Sequence, residues 1–236
     1  MLPIRDNIPS RRIPIVTVGI IALNVLGFLW ELQLGPRRLE RAFIELAIVP
    51  VRYSIPEIAQ SFSPAEQILP FFSSMFLHGG WLHLIGNMWT LWIFGDNVED
   101  RLGRGKYLAF YLASGVVAAL MHIYTNLGSQ MPTIGASGAI AGVMGAYFVL
   151  YPRSRVLTLV PLIVWWEIFE LPAIVLLGFW FLMQFLSAGA IAVTANSHGG
   201  GGVAFAAHVA GFIVGVIGVF VFRKPAVDRW DPIDYY

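Results

Sequence analysis

Two polar side chains in apolar surroundings, Ser137 and His208, are the residues of this sequence best suited to chemistry. Ser137 lies in a Gly-Ala-Ser-Gly sequence at the predicted start of an apolar helix, and His208 lies within another apolar segment. Polar side chains inside a membrane are costly and are therefore candidates for function. A hydroxyl with one imidazole to accept its proton is a minimal nucleophile and base pair. Because no Asp or Glu lies near either residue in the sequence, the two predict acyl chemistry by a dyad within a bilayer.

Small residues share a helical face with each of these side chains: Ala141 and Gly145 with Ser137, and Gly211 and Gly215 with His208. The first set spans about 80° of a helix and the second about 60°. Such faces allow two backbones to approach closely, so we predict that Ser137 and His208 meet. The alternative, a structural His208 bonded to a backbone carbonyl, does not account for the glycines beside it. The helix start at Ser137 also offers free N–H groups to an oxyanion.

A second polar cluster covers residues 78–87. His83 and Asn87 are four residues apart and share a helical face, whereas His78 is expected at or before the helix start. A zinc pair favours histidines spaced by four with a further acidic or histidine ligand, and residues 67–95 contain no acidic residue. We therefore predict no metal site. Two interpretations stay open: these side chains hold helices together, or they donate hydrogen bonds at a reaction site.

The composition indicates a membrane protein. Hydrophobic residues make up 57% of the 236-residue chain and charged residues 12%, against about 25% charged residues in a soluble domain. A net charge of +1 with dispersed basic residues argues against nucleic-acid binding. The absence of cysteine excludes disulfides, thiolate zinc sites, iron–sulfur clusters and a Cys nucleophile. We expect no cofactor.

Six apolar segments approach the roughly 20 residues that a membrane-spanning helix needs. They run over 13–30, 80–95, 107–124, 135–151, 172–188 and 203–222. No small-residue cleavage site follows the first, so we predict a retained helix rather than a signal peptide. The fold class predicted is an all-α membrane protein. It would comprise a tail over 1–12, a six-helix domain over 13–223 and a second tail over 224–236.

The basic residues predict the orientation. With six spans, eleven of the fifteen lie on one side: Arg5, Arg11, Arg12, Arg101, Arg104, Lys106, Arg153, Arg155, Arg223, Lys224 and Arg229. The positive-inside rule makes that side cytoplasmic, so both termini are predicted there and the protein in the cell membrane.

The predicted outer side contains two unusual connections. Apolar residues near Leu39 and Phe43 alternate with charged ones at helical spacing, which predicts an amphipathic helix in the membrane interface. Pro50, Pro56, Pro64 and Pro70 divide the residues after this helix into short pieces. Four consecutive glycines near residue 200 predict a mobile outer loop over 189–202.

Taken together and in this order, three motifs resemble those of bacterial rhomboid intramembrane serine proteases. They are His78-x4-His83-x3-Asn87, Gly135-Ala136-Ser137-Gly138 and Ala207-His208-x2-Gly211-x3-Gly215. The resemblance covers most of residues 13–223. It implies a six-helix core with an amphipathic first outer loop, and a protease that cleaves transmembrane substrates near the outer end of the substrate helix.

The resemblance also implies a role for each matched residue. Ser137 would be the nucleophile and His208 the general base. His83, Asn87 and the Ser137 N–H would form the oxyanion hole. The supporting residues would be His78, Gly135, Gly138, Gly211 and Gly215. The 189–202 loop would cover the site as a flap. In some members an aromatic residue four positions after the serine stacks on the base; here that position is Ala141, so another residue must orient His208. A Trp-Arg pair common in the first outer loop is also absent.

Two other functions compete with a protease. A transporter predicts an internal repeat with broken helices in matching halves, and the sequence contains no such repeat. A catalytically silent rhomboid-like protein that binds membrane clients would lack the serine or the histidine, and both are present. The partners expected are transmembrane protein substrates and the lipid bilayer. The oligomeric state and the natural substrate stay open.

Overall fold

The chain forms a bundle of helices with a small antiparallel sheet at one end. A computed structural model describes residues 1–161, 165–194 and 204–222, the side chains of 190–194 excepted. The elements are β1 (Leu2–Asp6), α1 (Ile15–Gln33), α2 (Gly35–Leu46), α3 (Val51–Ser54), α4 (Pro56–Ala59), α5 (Pro64–Ile68), α6 (Pro70–Ser73), α7 (Trp81–Leu102), α8 (Arg104–Thr125), α9 (Ser137–Leu150), β2 (Arg155–Pro161), β3 (Trp166–Pro172), α10 (Ala173–Thr194) and α11 (Phe205–Phe222). The predicted tail over 224–236 and most of the predicted 189–202 loop lie outside the described residues.

Six of these helices coincide with the six apolar segments of the sequence. By length and apolar composition, α1, α8 and α11 can each cross a membrane. Helix α7 passes the same test together with the segment Pro64–Phe76, from which it is bent by 82°. Helices α9 and α10 are shorter apolar helices over the described side chains. The prediction of a helical membrane bundle is confirmed, and six complete crossings stay a prediction.

Helix α9 lies at the centre of the bundle. Every residue from Ala139 to Tyr147 is buried, and α9 packs against α7, α8 and α11. A helix enclosed on all sides is expected to be apolar around its whole circumference, and residues 137–150 contain no charged side chain. The centre of the fold therefore holds Ser137 at the first position of its most enclosed helix.

The segment between α1 and α7 contains the predicted amphipathic helix, and the short pieces predicted after it are short helices. Helix α2 is amphipathic, with Ala42 as its buried residue. Pro56, Pro64 and Pro70 each occupy the first position of a short helix, where the missing N–H of proline costs nothing. Arg52, although charged, is 2% exposed. Its guanidinium donates to the Glu66 carbonyl at 2.6 Å, which ties this segment together.

The sheet was not anticipated from the sequence. Its order is β1-β2-β3, and both pairings are antiparallel, with Leu2 opposite Leu159 and Val156 opposite Leu171. The predicted tail over 1–12 therefore contributes a strand to the fold, and the segment that joins α9 to α10 contains the two paired strands β2 and β3. Since β2 follows the last residue of α9, the sheet lies at the end of the bundle opposite Ser137.

Asp6 attaches the first strand to the bundle. Its carboxylate accepts hydrogen bonds from the Tyr147 hydroxyl of α9 and, at 2.9 Å, from the Asn97 amide of α7. A buried carboxylate is tolerated where such donors surround it. The contact links β1 to the helix that begins with Ser137.

We expect the Asp6 contact to make stability depend on pH. Burial raises the pKa of the Asp6 carboxyl to about 6, above the value of about 4 for a free Asp. The folded state therefore binds the proton more tightly, and stability falls as the pH rises from about 4 through about 6. Thermal unfolding in detergent should show Asp6→Asn gaining in Tm over the natural protein across that range, with little difference at pH 4. Parallel Tm curves for the two proteins would contradict this assignment.

Candidate active site

A turn that requires glycine presents Ser137 at the start of α9. Gly135 has φ +121°, in the region that favours glycine, and its N–H donates to the Ser74 carbonyl at 2.8 Å. A Cβ at Gly135 would lie 2.7 Å from the His83 ring. Glycine is therefore required here both for the backbone conformation and for the space that the imidazole fills. The His83 ring therefore packs against Gly135, two residues before Ser137.

Helices α9 and α11 touch through their backbones. A Cβ on Gly211 would fall well inside contact distance of the Gly138 carbonyl, and one on Gly215 inside that of the Gly142 carbonyl. The predicted close contact therefore exists. The predicted face of α9 takes part in it, since a Cβ on Gly145 would likewise fall well inside contact distance of the Phe212 carbonyl of α11. The Gly138 and Gly142 carbonyls, next to that face, complete the contact.

This contact brings Ser137 and His208 together. His208 Nε2 lies 2.7 Å from Ser137 Oγ, within hydrogen-bond distance. The two residues are 71 positions apart in sequence. His208 is 9% exposed, and Ser137 is half-buried. A hydroxyl hydrogen-bonded to an imidazole is the geometry that base-assisted nucleophilic attack requires.

A third residue, absent from the predicted set, contacts the other imidazole nitrogen. Gln184 of α10 places Oε1 2.8 Å from His208 Nδ1. The Trp180 ring, one turn earlier on α10, has its centroid 6.0 Å from that of His208 at an interplanar angle of 35°. These two side chains contact His208 in place of the aromatic residue that some family members have four positions after the serine, where this chain has Ala141. The available signal was a single amide within an otherwise apolar span.

The 78–87 cluster lies beside the Ser137 turn. His78 precedes α7, as predicted, and its Nε2 lies 3.1 Å from the Asn87 amide nitrogen. The backbone N–H of His78 donates at 3.0 Å to the carboxylate of Glu31, a buried residue of α1 that was not among the predicted ones. His83 Nδ1 accepts from the Gly79 N–H at a longer 3.4 Å. Asn87 is thus oriented by His78, which is itself held by α1.

A cavity of about 1000 Å³ gives access to these groups. Ser137, His208, His83 and Asn87 all line it, together with residues of α7 and α10. It continues toward the sheet as far as Pro3, whose carbonyl accepts from the Trp89 indole at 2.6 Å. Among the described residues its lining includes no charged side chain. Hydrogen bonds to a developing charge are strong in such weakly polar surroundings.

His122 is bonded to a different hydroxyl. His122 lines the cavity, and its Nε2 lies 2.6 Å from the Thr133 hydroxyl. His198 lies outside the described residues. Over residues 1–161, 165–189 and 204–222, no group of three His, Asp or Glu side chains could hold a metal ion.

Several rhomboid and rhomboid-like proteins are similar in sequence to this chain. The human presenilin-associated rhomboid-like protein, mitochondrial, is 32% identical over 142 residues, which are 58% of this chain and 33% of that protein. Rhomboid protein 1, mitochondrial, of Saccharomyces cerevisiae is 30% identical over 148 residues, 61% of this chain and 39% of the yeast protein. RHOMBOID-like protein 5 of Arabidopsis thaliana is 32% identical over 162 residues, 68% of this chain and 46% of that protein. The match spans about a third of the length of the mammalian relatives.

The family model for the rhomboid domain matches residues 65–225. This range includes α7, α9 and α11, which supply Asn87, Ser137 and His208. The order of the motifs, the helical membrane bundle and the family match agree, and this chain belongs to the rhomboid family.

Proposed function

We propose that this protein is an intramembrane serine endopeptidase that cleaves transmembrane substrates. The observation that supports it most is the 2.7 Å contact between Ser137 Oγ and His208 Nε2, on the wall of an accessible cavity. A purely structural histidine would need no serine at the start of a central helix as its partner.

The proposed reaction is amide hydrolysis through an acyl-enzyme. His208 Nε2 accepts the Ser137 proton as Oγ attacks the peptide carbonyl carbon. When the tetrahedral intermediate collapses, the C–N bond breaks and His208 gives that proton to the leaving amine. A water molecule, deprotonated by His208, then attacks the ester. The second tetrahedral intermediate then collapses: the ester C–O bond breaks, His208 returns the proton to Ser137 Oγ, and the carboxylic acid is released.

The oxyanion would form between α7 and the start of α9. Ser137 is the first residue of α9, and the first N–H groups of a helix have no partner within it. Asn87 and His83 line the same cavity and lie beside Gly135. Donors fixed before the reaction stabilise the developing charge without reorganisation. The oxyanion hole is therefore assigned to the Ser137 N–H, Asn87 and His83.

The basic residues of the loops support an orientation in a cell membrane with both termini on the cytoplasmic side. Ser137 would then lie near the outer surface, where water can reach the cavity. A substrate helix must unwind locally there, since its peptide bonds are shielded by their own hydrogen bonds. Gly or Pro near the scissile bond would ease this step.

A fluorophosphonate probe tests the nucleophile directly. We expect the probe to label the purified full-length protein in detergent, to fail with Ser137→Ala and to react far more slowly with His208→Ala. Two variants serve as controls: Ser114→Ala removes a buried serine that is bonded only within its own helix, to the Phe110 carbonyl, and His122→Ala removes another imidazole of the cavity. Both should be labelled.

The labelling experiment can also refute the proposal. Labelling that persists in Ser137→Ala would assign the nucleophile elsewhere. Absence of labelling in the natural protein, together with retained binding of membrane proteins, would favour a catalytically silent client-binding protein.

Asn87→Ala is expected to lower turnover by about 100- to 1000-fold, the usual loss for one oxyanion donor. The cleavage rate of a transmembrane reporter at saturation, and Tm in the same detergent, measure the two possible effects. Asn126→Ala removes an amide that instead bonds the His122 carbonyl, and it should leave turnover near the natural value. A large fall in Tm with unchanged specific activity for Asn87→Ala would make Asn87 a structural residue.

A further inference from the structure

We propose that Gln184 is a positioning residue for His208, through a hydrogen bond from His208 Nδ1–H to the Gln184 side-chain oxygen. This inference rests on the proposed protease function. Gln184 lies on α10, outside the three motifs that carry the family resemblance. Its Oε1 lies 2.8 Å from Nδ1, opposite the nitrogen that contacts Ser137.

The hydrogen bond selects one tautomer of the imidazole. A neutral histidine has one N–H and one free lone pair, and the partner of one nitrogen determines the state of the other. If Nδ1–H donates to Gln184, the lone pair of Nε2 faces the Ser137 hydroxyl and can accept its proton. In the other tautomer Nε2–H faces Oγ, and the pair cannot begin the reaction. Gln184 thus keeps His208 ready as a base.

An amide suits this position better than a carboxylate. A charged side chain within a membrane-spanning helix is far more costly than a neutral polar one. The described side chains of α10 are almost all apolar, and Leu182, Met183 and Phe185 beside Gln184 are exposed at the surface of the bundle. An uncharged acceptor can orient His208 there without a buried charge of its own.

Both side chains that orient His208 come from α10. Trp180 packs on the imidazole and on Phe212, and Phe181 packs on Phe212 with ring centroids 4.7 Å apart. On α9, Ala141 has no ring to offer. The orientation of the base therefore depends on how α10 is seated against α11, and a displacement of α10 would release His208 even with Ser137 in place.

Two substitutions of Gln184 distinguish the effect of its acceptor oxygen from the effect of its side-chain volume. Gln184→Leu keeps a similar volume without an acceptor, and Gln184→Glu keeps an acceptor oxygen but loses the amide donor. We expect Gln184→Leu to lower kcat on a transmembrane reporter by about 10- to 100-fold, as for other residues that orient a functional imidazole, with KM little changed. Gln184→Glu should restore most of that loss. Ser187→Ala, a polar-to-apolar change on the same helix, is the matched control and should keep the natural kcat.

The outcomes separate this proposal from the protease function. If the natural protein is not labelled by the fluorophosphonate, the protease function itself fails. If it is labelled and Gln184→Leu reacts as fast, only the positioning role fails. If Gln184→Glu is as slow as Gln184→Leu, the amide acts as a donor or a spacer and the acceptor role is wrong. Should Gln184→Leu not fold, the Gln184→Glu result alone decides. An inactive Gln184→Glu variant would mean that the amide donor is required and that the acceptor role is wrong.

Discussion

Replacing Ser137 with Ala, His208 with Ala, or both together is expected to lower the cleavage rate of a transmembrane reporter by about 10⁴-fold or more in each case. The double variant should be no slower than the slower single variant. Nucleophile and base act as a unit, so the loss of one makes the other useless, and their contributions do not add. The direct contact of 2.7 Å between the two groups is the physical basis of this coupling.

The rates should be measured under single-turnover conditions, so that product release does not mask the chemical step. Tm in the same detergent shows whether each variant is folded, and the Ser114→Ala and His122→Ala controls should cleave at nearly the natural rate. Losses that multiply in the double variant would mean that Ser137 and His208 act independently. A rate within tenfold of the natural protein for Ser137→Ala would exclude it as the nucleophile.

The helical part of the fold is readable from the sequence because each element carries its own signal. A run of apolar residues predicts a membrane helix without any knowledge of its neighbours. Proline predicts in the same local way that the segment after α2 is divided into short pieces, and three of these pieces are short helices that begin at Pro56, Pro64 and Pro70. These signals do not depend on long-range contacts, and the structure follows them closely.

The sheet depends on long-range pairing instead. Strand β1 has five residues, including Pro3 and Arg5, and its partner begins about 150 positions later at Arg155. A strand of this length is stable only against its neighbours, and β-propensity reflects that context more than the residues themselves. Neither segment alone indicates the other, so the pairing could not be derived from composition or periodicity.

The candidate site divides in the same way. Ser137, His208 and Asn87 lie in motifs whose spacing and glycines have a physical meaning that is visible in sequence. Gln184 and Glu31 do not, because each has its importance only through a contact, with His208 and with the His78 backbone. The signal for Gln184 was its polarity within an apolar segment, and that for Glu31 was a charge directly after one; such a pattern marks a residue for attention without naming its partner.

The contact between α9 and α11 shows what an argument from side-chain faces can and cannot locate. Helical-wheel angles describe where Cβ atoms point, and they correctly group Gly211 and Gly215 with His208 and Gly145 with Ser137. All three glycines lie where the two helices meet. The angles do not locate the backbone carbonyls that these glycines approach, so the glycines predict that the helices touch without predicting which carbonyls they meet.

Gly211→Leu is expected to abolish cleavage, because it would force the two helices that carry Ser137 and His208 apart. Even a Cβ at this position would overlap the Gly138 carbonyl, the residue next to the nucleophile. The carbonyl cannot move aside as the end of a flexible side chain could, because it belongs to the backbone of the enclosed helix α9, and overpacking of this kind costs about 1–3 kcal/mol or more. A displacement of about 1 Å already costs on the order of 100-fold in rate, and it would break a 2.7 Å hydrogen bond.

Gly19→Leu provides the matched control for this prediction. Gly19 is also a glycine within a membrane helix, but a Cβ there would meet no atom within 4 Å, so cleavage and Tm should stay near their natural values. Gly211→Ala adds the smallest possible side chain and should give a loss of the same kind, with the fluorophosphonate labelling rate falling in parallel with cleavage. If Gly211→Leu cleaves at the natural rate, the helices do not meet as described.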